Sequence, residues 1–341
     1  MIAMTDPLLT VENLRVTLQQ AARQINLVED VSFAVRAGET YALVGESGCG
    51  KSVTASAIMR LLPEPRIQAT RGSVRFDNRD ILQSSEADMR AMRGQVMSMV
   101  FQDPMTSLNP VLTIGEQLVE GLRTHSRLTA AQALAKAEEL LQRVRIPDAR
   151  RRLSEFPHRL SGGMRQRVMI AMAMASRPRL LIADEPTTAL DVTVQAEILR
   201  LMHDMQQETG TAVILITHNL AIVAQYADRI GIMYAGRIVE EGSVDQVFAG
   251  PLHPYSRGLL SCIPHLVRAN PGAFHKLPDI PGTVPEPGAR PVGCAFAPRC
   301  EAVREQCRQT VPPPSHAEGG RWASCFAVAD RTADLSRELA Q

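Results

Sequence analysis

Residues 45–52 read Gly-Glu-Ser-Gly-Cys-Gly-Lys-Ser, the pattern G-x-x-x-x-G-K-[ST] of a phosphate-cradling loop. Successive backbone N–H groups free of bulky side chains can wrap a phosphate chain. A helix starting there adds its partial positive charge. Gly45, Glu46, Ser47, Gly48, Cys49, Gly50, Lys51 and Ser52 are therefore the candidate phosphate-binding residues. Lys51 is of a type to reach the β- and γ-phosphates, and the Ser52 hydroxyl to ligate Mg²⁺. A second run, Arg179-Leu180-Leu181-Ile182-Ala183-Asp184-Glu185, reads as an apolar strand ending in two carboxylates. Asp184 is placed to hold the metal opposite Ser52, and Glu185 to orient and deprotonate an attacking water.

These groups need a frame. Apolar runs at 41–44, 96–101, 180–183, 212–217 and 230–234 read as buried strands. Helix-like segments lie between them, including 53–62, 130–144 and 164–175. That alternation predicts a parallel sheet covered on both faces. Gly45, Gln102, Asp184–Glu185 and His218 each follow the C-terminal end of such a run. Ligands of open α/β sheets bind at that edge, so four strands deliver polar groups to one rim.

Composition narrows the classes. The 341 residues are 45% hydrophobic, ample for a core, with 37 basic against 36 acidic side chains. This balance points away from nucleic acid. Residues 1–7 lack a basic segment followed by an apolar one, so no signal peptide is expected. No stretch nears eighteen uninterrupted apolar residues, so no membrane span is expected. From Pro251 to Pro291 nine prolines break up the chain and predict a loop-rich appendage. Residues 327–341 are charged and Ala-rich, a candidate loose helix.

Leu160-Ser161-Gly162-Gly163-Met164-Arg165-Gln166 resembles the LSGGQ signature of ATP-binding cassette (ABC) proteins, with Met164 at the usual glutamine. Phosphate loop, signature and strand-end carboxylates follow in that family's order. The resemblance implies an α/β P-loop NTPase core, the ABC nucleotide-binding domain, over residues 1–250. It also implies an inserted helical subdomain at about 94–178, with a small extension from 251 to 341. It implies ATP and Mg²⁺ as cofactors and hydrolysis aided by Gln102, Glu185 and His218. Gln102 matches the Q-loop glutamine, Asp191 the D-loop and His218 the switch histidine. Ser161, Gly162, Gly163 and Asp191 would meet the ATP held by an opposite subunit. The family commonly stacks adenine on an aromatic residue, here placed near Ala22, but residues 13–32 contain no Phe, Tyr or Trp.

Downstream, His253-Pro254-Tyr255, Ile280-Pro281-Gly282-Thr283-Val284-Pro285 and Gly293-Cys294-Ala295-Phe296-Ala297-Pro298-Arg299-Cys300 resemble the C-terminal extension of oligopeptide and dipeptide importer ATPases. Cys294, Cys300, Cys307 and Cys325, spaced C-x5-C-x6-C-x17-C, could hold an iron–sulfur cluster or Zn²⁺. The subfamily resemblance implies 4Fe–4S, in an appendage expected to stand apart from the phosphate-binding motifs. The resemblance further implies peptide import, with nickel import or a soluble non-transport ATPase as alternatives. The implied partners are a second ATPase subunit (a paralogue), two transmembrane permeases and an extracytoplasmic solute-binding protein. The implied location is peripheral, at the cytoplasmic face of the inner membrane.

Overall fold

The computed structural model describes residues 6–20, 23–103, 107–188, 190–263 and 279–330. The main sheet contains β3 (Thr40–Val44), β6 (Met97–Val100), β7 (Leu180–Asp184), β8 (Ala212–Thr217) and β9 (Arg229–Tyr234). These five strands are mutually parallel. They are the five apolar runs, with ends shifted by a residue or two. β3, β7 and β8 are buried at every position, as strands covered on both faces must be.

The antiparallel β10 (Arg237–Ser243) extends this sheet. β12 (Trp322–Ala323) and β11 (Ser315–His316) then complete one edge, giving the order β11-β12-β10-β9-β3-β8-β7-β6. The proline-rich tail therefore joins the sheet rather than hanging from it. Ser324 N–H donates to the Val239 carbonyl at 2.8 Å, which fixes the junction.

A second sheet has the order β2-β1-β4-β5, built from β1 (Leu9–Gln20), β2 (Arg23–Val35), β4 (Ile67–Phe76) and β5 (Arg79–Asp80). All its pairs are antiparallel, an element absent from the sequence expectation. Its apolar side packs with α1 (Lys51–Ile58) and one face of the main sheet, through Leu14, Val16, Val74, Leu43, Ile182 and Ile214.

On the other side, α3 (Ile114–Thr124), α4 (Ala130–Arg143), α5 (Gly162–Met174) and α6 (Val192–Thr209) share a core that includes Leu118, Leu141, Ile170 and Ile198. Thr113 and Thr129 cap α3 and α4 with reciprocal side-chain bonds from Glu116 and Gln132, each cap contributing about 1 kcal/mol. Between α1 and β6 lies α2 (Glu86–Met92).

A third core lies behind β9 and β10, where α7 (Leu220–Tyr226), α8 (Val244–Ala249) and α9 (Pro254–Ser261) meet Phe296 of the tail. His253 caps α9 through Nδ1, which accepts from Tyr255 N–H at 3.1 Å. Burial first, then neighbouring Arg257, pushes its pKa down to about 3. A depressed pKa gives stability that is whole above the unfolded value near 6.5 and lost as pH falls toward 3. At pH 5 the loss is about 2 kcal/mol. His253→Asn keeps a capping acceptor but cannot titrate. Denaturant melts at pH 7 and pH 5 should show a pH-dependent loss about 2 kcal/mol smaller in the variant. Equal losses would refute the assignment.

Candidate functional site

The phosphate loop joins β3 to α1 through backbone that only glycine supplies at low cost. Gly48 and Gly50 have φ of 79° and 107°, and Gly50 serves as the N-cap of α1. A Cβ on Gly45 would stand 2.1 Å from the Met233 carbonyl oxygen of β9. The α1 helix starts at Lys51, two residues earlier than the pattern suggested, and stops at Ile58, because Arg60 turns left-handed at φ 50°. The Lys51 ammonium is buried and donates to the carbonyls of Gly45 (2.8 Å) and Glu46 (3.1 Å). Cys49 lies buried beneath it, its thiol pushed up by burial against the opposing pull of Lys51.

Ser52 donates its hydroxyl proton to Asp184 Oδ1 at 3.0 Å. Two oxygens from separate elements at that spacing match one edge of the oxygen octahedron Mg²⁺ requires, about 2.9 Å for bonds of 2.0–2.1 Å. Burial raises the Asp184 carboxyl above its ordinary range. The Ser52 bond opposes the rise, Glu185 reinforces it, and Lys51 opposes it. A cation bound there would hold Asp184 ionised.

Beside it, Gln102, Glu185 and His218 converge from the ends of β6, β7 and β8. Glu185 Oε2 accepts from Gln102 Nε2 at 3.1 Å and from the Thr188 hydroxyl at 2.8 Å. Its Oε1 lies 3.4 Å from His218 Nδ1. Glu185 takes φ 46°, a left-handed conformation that costs about 1–3 kcal/mol in a non-glycine residue. Its N–H is fixed by the Ile216 carbonyl at 2.9 Å. The carboxylate is thus held by three neighbours at the rim, with its side chain only 12% exposed.

The signature residues form a separate group. Ser161 caps α5, its hydroxyl accepting from Met164 N–H at 3.3 Å, so α5 begins two residues before the sequence expectation. Asp191 caps α6 by accepting from Val194 N–H at 2.9 Å. Gly163 lets the two helix starts approach, since a Cβ there would stand 2.7 Å from Val194 Cγ1. Among the described residues, no hydrogen bond or ion pair joins Ser161, Gly162 or Gly163 to the phosphate loop.

Ala22 lies outside the described residues, as do residues 331–341 of the candidate terminal helix. The neighbouring Gln24, Ile25 and Asn26 line a cavity of about 440 Å³ with Pro287, Gly288 and Arg290 of the tail.

The tail does not stand apart from the phosphate loop. Arg299 Nη1 donates to Glu46 Oε1 at 2.9 Å and Oε2 at 3.2 Å. The Glu46 N–H donates to the Tyr255 hydroxyl at 3.0 Å. Pairs 253 and 209 residues apart carry no local signal, although Arg299 sits inside a motif noted for its cysteines.

The four tail cysteines lie in one region. Cys294 N–H donates to the Cys307 carbonyl at 2.7 Å. Burial pushes the Cys294 thiol up to about 11, a rise that the Phe296 N–H opposes and Cys307, Cys300 and Cys325 reinforce. Among the described residues, no three His, Cys, Asp or Glu side chains are gathered closely enough to hold a metal ion.

Residues 28–188 match the ABC transporter family, and residues 239–307 match the C-terminal region of oligopeptide/dipeptide transporters. A Brucella abortus (strain 2308) relative, named for peptide import and ATP binding, is 51% identical across 94% of this chain and 95% of its own. The chain belongs to the ABC transporter family. A peptide ABC transporter ATP-binding protein of Sinorhizobium fredii is 52% identical, covering 87% of this chain and 88% of its own. Among solved structures, the dimeric ATP-binding cassette MJ0796 bound to ADP and Pi aligns at TM-score 0.63 and 27% identity, over 69% of this chain and 98% of that one. The cbiO1 protein of Clostridium perfringens, part of an ABC transporter complex, aligns at TM-score 0.61 and 28% identity, over 72% and 92%. The fold is therefore that of an ABC cassette, and the chain is an ATPase of that family. Among the described residues, no helix is long and apolar enough to cross a membrane.

Proposed function

We propose that this chain is the ATP-hydrolysing subunit that energises import of di- or oligopeptides through a membrane ABC transporter. The observation carrying this reading is the union of an ATPase rim with a tail matching oligopeptide/dipeptide transporters. Gly45 to Ser52 hold the phosphates, and Ser52 and Asp184 would hold Mg²⁺, which would neutralise charge developing on the phosphates. Glu185 takes the proton of the attacking water. Gln102 orients that carboxylate, and His218 stands where it can sense the γ-phosphate. Ser161, Gly162, Gly163 and Asp191 serve ATP bound to an opposing cassette. The division at residue 250, with a helical insertion over 94–178, is part of the same reading and draws support from the shared core of α3, α4 and α5.

The partners in this reading are a second cassette (a paralogue), two permease subunits and an external solute-binding protein, with this chain at the cytoplasmic membrane face. The test is co-purification from a chromosomally tagged strain. The expected complex holds two permeases and a second cassette, and its ATPase rate rises with solute-binding protein loaded with peptide. A complex stimulated by nickel and not by peptides would overturn the cargo assignment.

Cys294, Cys300, Cys307 and Cys325 are proposed to hold one structural 4Fe–4S cluster. Four partly buried thiols in one region support this, as does a segment of short elements to which a metal cross-link adds order beyond that of packing. Anaerobically purified protein should be brown and carry about four irons per chain. Serine at any one of the four should lose iron and admit protease to the segment around residues 290–326. One zinc per chain would replace the cluster and keep the site. Free alkylation of all four thiols in anaerobic, metal-free, folded protein would end the proposal.

A further inference from the structure

Glu46 is the second residue of the phosphate loop, and all its polar groups are engaged. Its carbonyl accepts from Lys51 Nζ, its N–H donates to Tyr255 of α9, and its carboxylate receives Arg299 of the tail. Arg299 is itself locked in place. Its side chain is 5% exposed. Nε donates to the Pro281 carbonyl at 2.8 Å, and Nη2 to the Ile280 carbonyl at 3.0 Å. The guanidinium also lies 5.8 Å and 6.0 Å from the ring centres of Tyr234 and Phe296. A buried, prearranged guanidinium thus reaches from the extension to a carboxylate of the anion-binding loop itself.

We propose that Arg299 is a positioning residue for the nucleotide: it holds and neutralises Glu46, so that the loop receives a polyphosphate without an opposing carboxylate. This rests on the reading of residues 45–52 as the ATP site. An unpaired Glu46 carboxylate would repel the phosphates, while the main-chain bonds of Glu46 to Tyr255 and Lys51 hold it at the loop. A half-shielded pair of this kind has a larger electrostatic effect than an exposed one, because less water screens it. Cys300 follows Arg299 directly, so whatever orders the cysteine segment also orders this contact. The extension then serves nucleotide binding as well as shape.

The test is calorimetric titration of MgATP into the intact chain, with a thermal melt of every variant. Arg299→Gln should weaken MgATP about tenfold. The double variant Arg299→Gln with Glu46→Gln should return to within about threefold of wild type, because the uncompensated charge is gone. A purely structural arginine predicts no such rescue, so an unrescued loss overturns the proposal, as does wild-type affinity in Arg299→Gln. Should that variant fail to fold, Arg299→Lys retains a positive charge beside Glu46 and should lose no more than about threefold. A tenfold loss at unchanged Tm would count against the proposal. Lys51→Ala is the separate control: if it binds MgATP normally, the phosphate-loop reading fails, whatever Arg299 does.

Discussion

Glu185→Gln should retain MgATP binding and slow hydrolysis in the assembled transporter by about 10²–10⁴-fold. The amide keeps the length of the side chain and can still bond Gln102 and Thr188, which now lie 3.1 Å and 2.8 Å away. What it loses is the capacity to take a proton. The variant should accumulate a closed, ATP-filled pair of cassettes, visible as a larger species by light scattering. A rate within a few-fold of wild type would remove Glu185 from the role of base. The local strain at φ 46° fits that role, because it aims the carboxylate from a strand end into the rim instead of along the sheet.

Ser161→Arg should abolish most ATPase activity of the complex, by about 10²-fold or more, while leaving binding to the chain's own phosphate loop intact. Ser161 caps α5, and losing a cap costs about 1 kcal/mol, too little to unfold a chain with three extensive cores. An activity loss of that size therefore requires a contact the isolated chain does not make. Helix start, exposed hydroxyl and absence of bonds to the phosphate loop all direct Ser161 outward. Normal turnover in the complex carrying Ser161→Arg would contradict a shared site. So would an isolated monomer hydrolysing ATP at the rate of the complex.

The parallel sheet was legible because its strands are buried on both faces, and such strands read as unbroken apolar runs: β8 spans Ala212–Thr217, as its run does. The rim was legible for a related reason, since a chemistry-bearing residue follows each run. The antiparallel sheet was not legible. β1 carries a bulge at Asn13, with φ 49°, facing Gly72 at φ 95°. The bulge shifts the alternation of buried and exposed residues, and period-two patterning is the signal that reveals such strands. α6 is capped by Asp191 and stops at left-handed Gly210, but its mixed polar sequence hid the eighteen helical residues between them. The Arg299–Glu46 pair lay beyond sequence reasoning, because long-range ion pairs leave no spacing to read. The cysteines were legible as a group, whereas their arrangement depends on the packing of short segments around Phe296 and α9.

The most direct measurement is uptake of a radiolabelled peptide by proteoliposomes that hold the purified transporter complex, with its solute-binding protein on the peptide side and MgATP on the side of this chain. The account predicts uptake with MgATP. It predicts none with a non-hydrolysable analogue, and near-complete loss when this chain carries Glu185→Gln. Peptide accumulation that persists without hydrolysable ATP, or that is untouched by Glu185→Gln, would contradict it.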